Sequence, residues 1–333
     1  MKLERVILCV LFLSVTSWAA THAARKAGGQ FREFDFTYGV SLPHLAANAK
    51  SFRIWIPVAT TTRNQEVRLL NVSGTIPLRI TRESEYGNRM AFAEIRRPAF
   101  KSAHFKLTYH VTRHEYSVGT YSQLMENEKP LQITPDLARF LQPDRLIPID
   151  GEIKRIADSV IAGHQGEIAK AHAIYDYVFH HMRYDKSGTG WGHGDAIWAC
   201  DAKHGNCTDF HSLFIGMMRA EGIPARFVIG FPLPPGKQDG AIAGYHCWAE
   251  FYMAGKGWVP VDISEAWLNP SRYGFFFGSV DSNRVRFSMG RDINLAPKQS
   301  ATPVNYFVYP YVELNDKAYK GVQWQFYFHD TAS

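Results

Sequence analysis

Long apolar runs are absent from the sequence after residue 15, so we expect no membrane-spanning helix in the mature protein. Basic runs are absent too: the net charge is only +6 and acidic residues are interleaved, which argues against a nucleic-acid partner. No internal repeat is visible. With 46% hydrophobic and 20% charged residues in 333 positions, the composition predicts a folded chain of two compact domains or one large one.

The first residues have the layout of a secretory signal peptide. A short charged start at residues 1–5 precedes an apolar run at 6–15, which is too short for a comfortable membrane span. Small residues then offer cleavage sites near positions 19–24. We therefore expect residues 1–23 to be removed and the mature protein to be exported, either periplasmic or secreted.

Cysteine is scarce, and export leaves an odd number of thiols. Loss of Cys9 with the signal peptide leaves Cys200, Cys207 and Cys247 in an oxidising compartment. Strand alternation turns Cys247 away from the face that carries His246. One hypothesis is therefore a disulfide between Cys200 and Cys247 with Cys207 free, and a count of three free thiols would contradict it.

The residue patterns predict an α+β chain in several segments. Apolar alternation at residues 52–58 and 105–111 predicts an antiparallel β-sandwich over 28–125, with turns at 71–74 and 86–88. A proline-punctuated linker is predicted over 126–150. The remaining predictions are a catalytic domain over 151–295 and a C-terminal β extension over 296–333.

Within the predicted catalytic domain, apolar stripes at 153–160 and 168–178 indicate two helices. Residues 181–205 are rich in Gly and Asp and predict a loop, and a third helix begins at Cys207. Strands are predicted over 225–231, 244–253 and 258–263.

Cys207 opens the third predicted helix, a position that suits a nucleophile. The free backbone N–H groups and the helix dipole there stabilise a thiolate and can receive a developing oxyanion. Gly205 just before it lets backbone approach a substrate without an intervening side chain. An ordinary buried helical cysteine is the alternative interpretation.

His246 and Asp262 are the candidate partners, and the hairpin between their strands decides whether they meet. An odd-length loop centred near Gly255 places His246 opposite Ser264 and brings Asp262 onto the same face as its diagonal neighbour. A two-residue loop would turn the aspartate to the wrong face. Together the three residues predict a Cys207–His246–Asp262 triad of nucleophile, general base and orienting carboxylate.

A metal site is the rival interpretation of this region. His204, Cys207, Asp209 and His211 lie close together, and Cys207 and His211 are one helical turn apart. No second ligand pair at finger-like spacing follows, so we expect no metal. Asp209 is more simply a favourable charge at the helix N-terminus, and no catalytic role is assigned to His204 or His211.

The stretches GNCTDFHSLFIGMMRAEGIPARFVIGF, GYHCWAEFY and GWVPVDISEA resemble the transglutaminase-like superfamily, in particular its exported bacterial members with an N-terminal β domain. Residues 275–278, 283–284 and 290–292 also resemble the stretch that follows the aspartate in those proteins. The resemblance implies a papain-like core in which Cys207, His246 and Asp262 act in acyl transfer through a thioacyl enzyme.

The resemblance leaves the reaction open, because relatives include protein cross-linkers, peptidases and deglycosylating amidases. Cross-linking relatives use a tryptophan near the oxyanion, for which Trp191 and Trp198 are candidates. No acidic loop resembles the calcium sites of animal cross-linkers, so no cofactor is expected. We expect acyl transfer or hydrolysis at amide bonds of a peptide, protein or cell-wall peptide; a non-catalytic module that binds such material is the alternative.

Overall fold

The computed structural model describes residues 30–46, 48–126 and 128–331. The predicted signal peptide, residues 1–23, lies outside the described residues. The first half of the chain forms β1 (Phe31–Leu42), β2 (Ser51–Val58), β3 (Gln65–Gly74), β4 (Arg79–Arg82), β5 (Arg89–Arg96), β6 (Ala103–His114), β7 (Tyr116–Ser117), α1 (Tyr121–Met125), α2 (Pro135–Ala138) and a 3₁₀ turn at Arg139–Leu141.

The second half forms α3 (Gly151–Ile161), α4 (Glu167–His181), β8 (Arg183–Tyr184), α5 (Ala196–Ala202), β9 (His204–Gly205), α6 (Cys207–Ala220), β10 (Ala225–Pro232), β11 (Asp239–Ile242), β12 (His246–Met253), β13 (Gly257–Val261), α7 (Ile263–Leu268), a 3₁₀ turn at Pro270–Arg272, β14 (Ser279–Val280), β15 (Arg284–Met289), β16 (Tyr311–Leu314), β17 (Lys317–Ala318) and β18 (Gln323–Asp330).

Two antiparallel sheets form the predicted sandwich, with strand orders β11-β18-β1-β6-β3 and β17-β16-β2-β5-β4. Alternate residues of β6 are buried, as the period-two pattern predicted, whereas β2 is buried on both faces from Ile54 to Val58. The rings of Phe52 and Phe105, one from each sheet, stack with centroids 6.4 Å apart. The α+β fold class with an N-terminal sandwich is confirmed.

The predicted turn at residues 71–74 is wrong, because these residues continue β3. A bulge between Leu69 and Asn71 keeps β3 paired with β6 through Gly74. Gly74 is needed there for room, since a Cβ at this position would lie 2.2 Å from the Phe105 ring. A glycine that accommodates a neighbouring ring gives the same local signal as a glycine in a turn.

Strands from distant parts of the sequence complete the sandwich. β16 pairs with β2, β18 pairs with β1, and β11 from the second half adds to the edge of β18. The two halves therefore share continuous sheets, and the boundaries near 126–150 and 296 stay predictions.

A four-stranded antiparallel sheet, ordered β13-β12-β10-β15, supports the second half. Helix α6 packs on β12 and is enclosed by α3, α4 and α5, which explains why its residues are buried from Cys207 through Arg219. The helices predicted over 153–160 and 168–178 are confirmed as α3 and α4.

The predicted loop over 181–205 contains a helix, α5, which its Gly- and Asp-rich composition did not predict. Asp195 caps it by accepting the N–H groups of Ile197 and Trp198, both at 3.1 Å. Gly and Asp, which indicated a loop, are here the residues of a helix start and of the turns around it. Within the described residues, no helix is both long and apolar enough to cross a membrane.

Candidate active site

The N-terminus of α6 is fixed by a reciprocal capping box. The Asn206 side chain accepts the N–H of Thr208 at 2.9 Å, and the Asp209 carboxylate accepts the N–H of Asn206 at 2.9 Å. Cys207 is the first residue of the helix, where a backbone N–H has no partner within the helix. The thiol therefore lies beside donors that can stabilise negative charge, as the sequence predicted.

Asp209 does more than place a charge at the helix start. Its carboxylate also accepts the N–H groups of Gly192 and Gly194, at 2.7 and 2.9 Å, and so ties the preceding loop to α6. A Cβ at Gly205 would lie 2.4 Å from this carboxylate. Gly205 is thus required for the Asp209 cap, and the expectation that it also lets backbone approach a substrate stays a prediction.

The hairpin between β12 and β13 has the register that the triad requires. Met253 pairs with Gly257, which leaves a three-residue loop centred on Gly255, and Ala249 pairs with Val261. The predicted odd-length loop is confirmed. It brings His246 Nε2 to 2.7 Å from Asp262 Oδ2.

Asp262 ends the hairpin and caps α7, where the sequence had predicted a continuing strand. It is fully buried, and its Oδ1 accepts the N–H of Glu265 and the hydroxyl of Ser264, both at 3.1 Å. Oδ2 accepts Arg284 Nη1 at 2.7 Å in addition to facing His246. Burial alone would raise the pKa of Asp262, but the charges of His246 and Arg284 hold it well below its usual value.

Cys207 and His246 form an electrostatically matched pair. Burial alone would raise the pKa of the Cys207 thiol, but hydrogen bonds to the Cys247 and His246 side chains and the imidazole charge hold it well below its usual value. Burial acts against the His246 imidazolium, yet the Asp262 carboxylate raises the pKa of His246 well above the usual value. Both shifts favour a thiolate and an imidazolium over two neutral groups.

The ring orientation of His246 is fixed by its partners. Because Nε2 faces Asp262, Nδ1 is the nitrogen left for the Cys207 sulfur. The geometry therefore brings all three predicted residues together, and it can perform proton exchange at the thiol while the carboxylate holds the ring.

His211, one turn after Cys207, is committed to structural contacts. It is fully buried, its Nε2 accepts the N–H of Ile263 at 3.1 Å, and burial lowers its pKa to about 4. His204 lies apart on β9, with Nδ1 3.3 Å from the Asp185 carbonyl oxygen. Among the residues that the structure describes, no group of three His, Cys, Asp or Glu side chains could hold a metal ion.

The hypothesis of a Cys200–Cys247 disulfide is wrong, since all three described cysteines are free. Cys200 Sγ lies 3.9 Å from His181 Nε2, whereas Cys247 Sγ lies 3.7 Å from His211 Nδ1. His246 and Cys247 are both paired in register with β10, opposite Gly230 and Ile229. Both side chains nonetheless hydrogen-bond to the Cys207 sulfur, so strand alternation did not separate Cys247 from Cys207.

Two further residues of the site, Tyr245 and Arg284, were given no role in the sequence analysis. The Tyr245 hydroxyl accepts Asn206 Nδ2 at 3.0 Å and lies 2.8 Å from Thr208 Oγ1, which places the ring beside the helix start. Arg284 is almost fully buried on β15 against Asp262. The strand pattern could not have indicated a buried ion pair, because Arg284, Arg286 and Ser288 form one polar face of β15 and predict an exposed one.

Trp198, one of the two candidate oxyanion tryptophans, packs against the loop and the strand that precede α6. The Trp198 ring packs 5.3 Å from the His204 ring, on α5. A Cβ at Gly190 would lie 2.6 Å from Trp198 Nε1, so this loop closes over the indole edge. No oxyanion role is assigned to Trp191 or Trp198.

Comparison with known proteins shows what this region is similar to. Residues 154–263 match the family model described as the transglutaminase-like superfamily. The matched segment includes Cys207, His246 and Asp262 and is joined to a β-sandwich. The crystal structure of a Cytophaga hutchinsonii protein named "putative cysteine protease" shares the fold, with a TM-score of 0.59 and 19% identity over 91% of this chain and 94% of that one.

Two relatives by sequence come from bacteria. An uncharacterized protein of Haemophilus influenzae is 28% identical over 316 residues, which is 85% of each chain. Uncharacterized protein YebA of Bacillus subtilis is 25% identical over 150 residues, 40% of this chain and 20% of that protein. The first similarity spans both the sandwich and the segment that matches the family model.

Proposed function

We propose that the protein is a thiol-dependent enzyme that transfers or hydrolyses acyl groups at amide bonds. The observation that carries the proposal is the line of contacts from Cys207 at the start of α6, through His246, to the Asp262 carboxylate 2.7 Å away. Cys207 is the nucleophile, His246 the general base and acid, and Asp262 the group that orients the imidazole.

The proposed reaction has two steps. The Cys207 thiolate attacks the amide carbonyl carbon, the oxyanion is stabilised at the N-terminus of α6, and the C–N bond breaks as the His246 imidazolium protonates the leaving amine. In the second step water, or an amine, gives its proton to His246 and attacks the thioester. The C–S bond then breaks and releases a carboxylic acid, or a new amide, with the thiolate restored.

The proposed substrate is a peptide, protein or cell-wall peptide, and hydrolysis is favoured because water is always at hand outside the cytoplasm. Export itself belongs to the proposal and is supported by the layout of residues 1–23. Amino-terminal sequencing of protein recovered from its native host tests it. A new terminus near positions 19–24 is expected, and an intact Met1 in all recovered protein would contradict export.

A product screen tests the activity. The protein is incubated with glutamine peptides and peptidoglycan fragments, with and without a primary amine, and ammonia and new termini are measured. Product formation is expected to be lost in Cys207→Ala and kept in Cys200→Ala, a matched cysteine on α5. Activity that persists in Cys207→Ala would overturn the mechanism, whereas substrate binding without turnover by the wild type would indicate a binding module.

A further inference from the structure

A cationic cavity of about 250 Å³ lies between the sandwich and the catalytic sheet. The sandwich contributes Arg63 and Arg113, from the loop before β3 and the end of β6. The sheet contributes Arg226, Lys256 and Arg286 together with one acid, Glu250. Five cationic side chains thus face one carboxylate across the junction of the two halves.

The single carboxylate, that of Glu250, is already paired with Arg226. Arg226 Nε donates to Glu250 Oε2 at 2.7 Å, and the Arg226 guanidinium lies 3.9 Å from the centroid of the Trp258 ring. These two charges neutralise each other. The charge of Glu250 also acts on Arg113 and Arg286. Arg63, Arg113, Lys256 and Arg286 line the cavity, and among the described residues no acid lies within ion-pair distance of them.

Arg113 is the least satisfied of these groups. Its side chain is almost fully buried, with 3% of the residue exposed, and its Nε has no hydrogen-bond partner among the described residues. Burial, assisted by the charges of Arg284 and Arg286, lowers the pKa of Arg113 to about 9. Burial likewise lowers the pKa of Arg286 to about 10. A buried, unpaired guanidinium is costly unless an anion meets it.

We propose that this cavity binds a small oxyanion with at least two negative charges, of the phosphate type. Guanidinium groups present N–H donors in a planar fork that matches phosphate oxygens, and a dianion would relieve the mutual repulsion of the four unpaired cations. A cavity of about 250 Å³ admits a phosphate ion or the phosphoryl end of an ester but not a polymer.

The cavity is separate from Cys207 but reaches the back of the triad. Trp248 lines it and is two residues beyond His246 on β12. The guanidinium of Arg284, which holds Asp262, lies 5.1 Å from the centroid of the Trp248 ring, and that of Arg113 lies 5.9 Å from it. The site is therefore built into the interface between the two halves, so its ligand would stabilise that interface.

Calorimetric titration with inorganic phosphate at constant ionic strength tests the proposal. Saturable binding with one site per chain is expected in the wild-type protein. Arg63→Gln, which changes an exposed residue at the rim, is expected to weaken binding at least tenfold, and Arg286→Gln to abolish it. The control Arg68→Gln removes the same charge from exposed β3 outside the cavity and should change the affinity less than twofold.

Two further ligands, phenyl phosphate and acetate, complete the test. Phenyl phosphate that binds as well as phosphate would identify a phosphorylated molecule as the ligand, and binding of the free ion alone would identify phosphate itself; both results support the site. Acetate should not compete. Equal weakening by Arg63→Gln and Arg68→Gln, competition by acetate as strong as by phosphate, or no saturable binding would each overturn the proposal.

Discussion

His246 and Asp262 are sixteen residues apart in sequence, yet Nε2 of the one lies 2.7 Å from Oδ2 of the other. The three-residue loop of the β12–β13 hairpin sets the register that makes this contact, and the start of α7 holds the carboxylate in place. One ring nitrogen, Nε2, is thereby bound to the carboxylate, and the other, Nδ1, is left for the Cys207 sulfur.

Substituting Asp262 by Asn should keep the size of the side chain and remove the charge that raises the pKa of His246. Turnover is expected to fall by about 10³–10⁴-fold, because the ring loses the partner that sets its tautomer and stabilises the imidazolium. The control Asp158→Asn, on α3, should retain wild-type turnover. A fall of less than tenfold in Asp262→Asn would remove the carboxylate from the mechanism.

Arg284 should be important for stability through its bond to the buried Asp262. Arg284→Met leaves that carboxylate with His246 as its remaining cationic partner, and breaking a buried ion pair typically costs about 3–5 kcal/mol. Urea unfolding should detect a loss of this size, with a smaller loss in Arg284→Lys. Equal free energies of unfolding for Arg284→Met and the wild type would contradict the proposed role of the ion pair.

Cys247 should tune the nucleophile without replacing it. Its hydrogen bond to the Cys207 sulfur helps to lower the pKa of Cys207, and burial raises its own pKa well above the usual value. In Cys247→Ala, the pH at which the alkylation rate of Cys207 begins to fall on acidification, the acidic limb of the profile, should therefore be higher. The label should still be found on Cys207. Cys200→Ala should leave the limb in place. Label found mainly on Cys247 in the wild type would reverse this assignment.

His211 should make stability depend on pH between about 4 and 6.5. Burial lowers its pKa to about 4 in the folded protein, against 6.5 for the unfolded chain. In that interval the unfolded chain binds a proton that the folded protein does not, so the free energy of unfolding falls as the pH falls. The contribution is about 1.4 kcal/mol per pH unit.

The variant His211→Asn should lose this slope, whatever its absolute stability at neutral pH. Unfolding free energies measured at several pH values from 4 to 6.5 give the comparison. His180→Asn, which removes an exposed histidine of α4, should retain the wild-type slope. The same slope in His211→Asn and the wild type would show that another group is responsible.

The parts of the fold that depend on local pattern were predictable from the sequence. Alternation located β6, and apolar periodicity located α3 and α4, because each buries one face. Alternation also located β2, although its second face is buried as well from Ile54 onward. The glycines around residue 255 located the β12–β13 hairpin, and the triad hypothesis predicted the odd loop length that sets its register. These features depend on neighbours in the sequence, which a single chain displays.

The rest depends on contacts between distant segments. Gly74 was assigned to a turn because only the structure shows the Phe105 ring beside it. The Asp209 contacts to Gly192 and Gly194 and the Arg284 bond to Asp262 join segments that no periodicity connects. The disulfide hypothesis failed for the same reason, since parity and compartment say nothing about where two sulfurs lie.

The central claim is that Cys207 is a thiolate held by the His246 imidazolium, and the pH dependence of its alkylation tests this most directly. The rate of iodoacetamide labelling at Cys207, followed by peptide mass spectrometry, should be nearly constant from pH 6 to 8 in the wild type. In His246→Ala it should rise roughly 100-fold over that interval, as for a thiol of pKa about 8.5. A wild-type rate that rises as steeply as that of the variant would contradict the account.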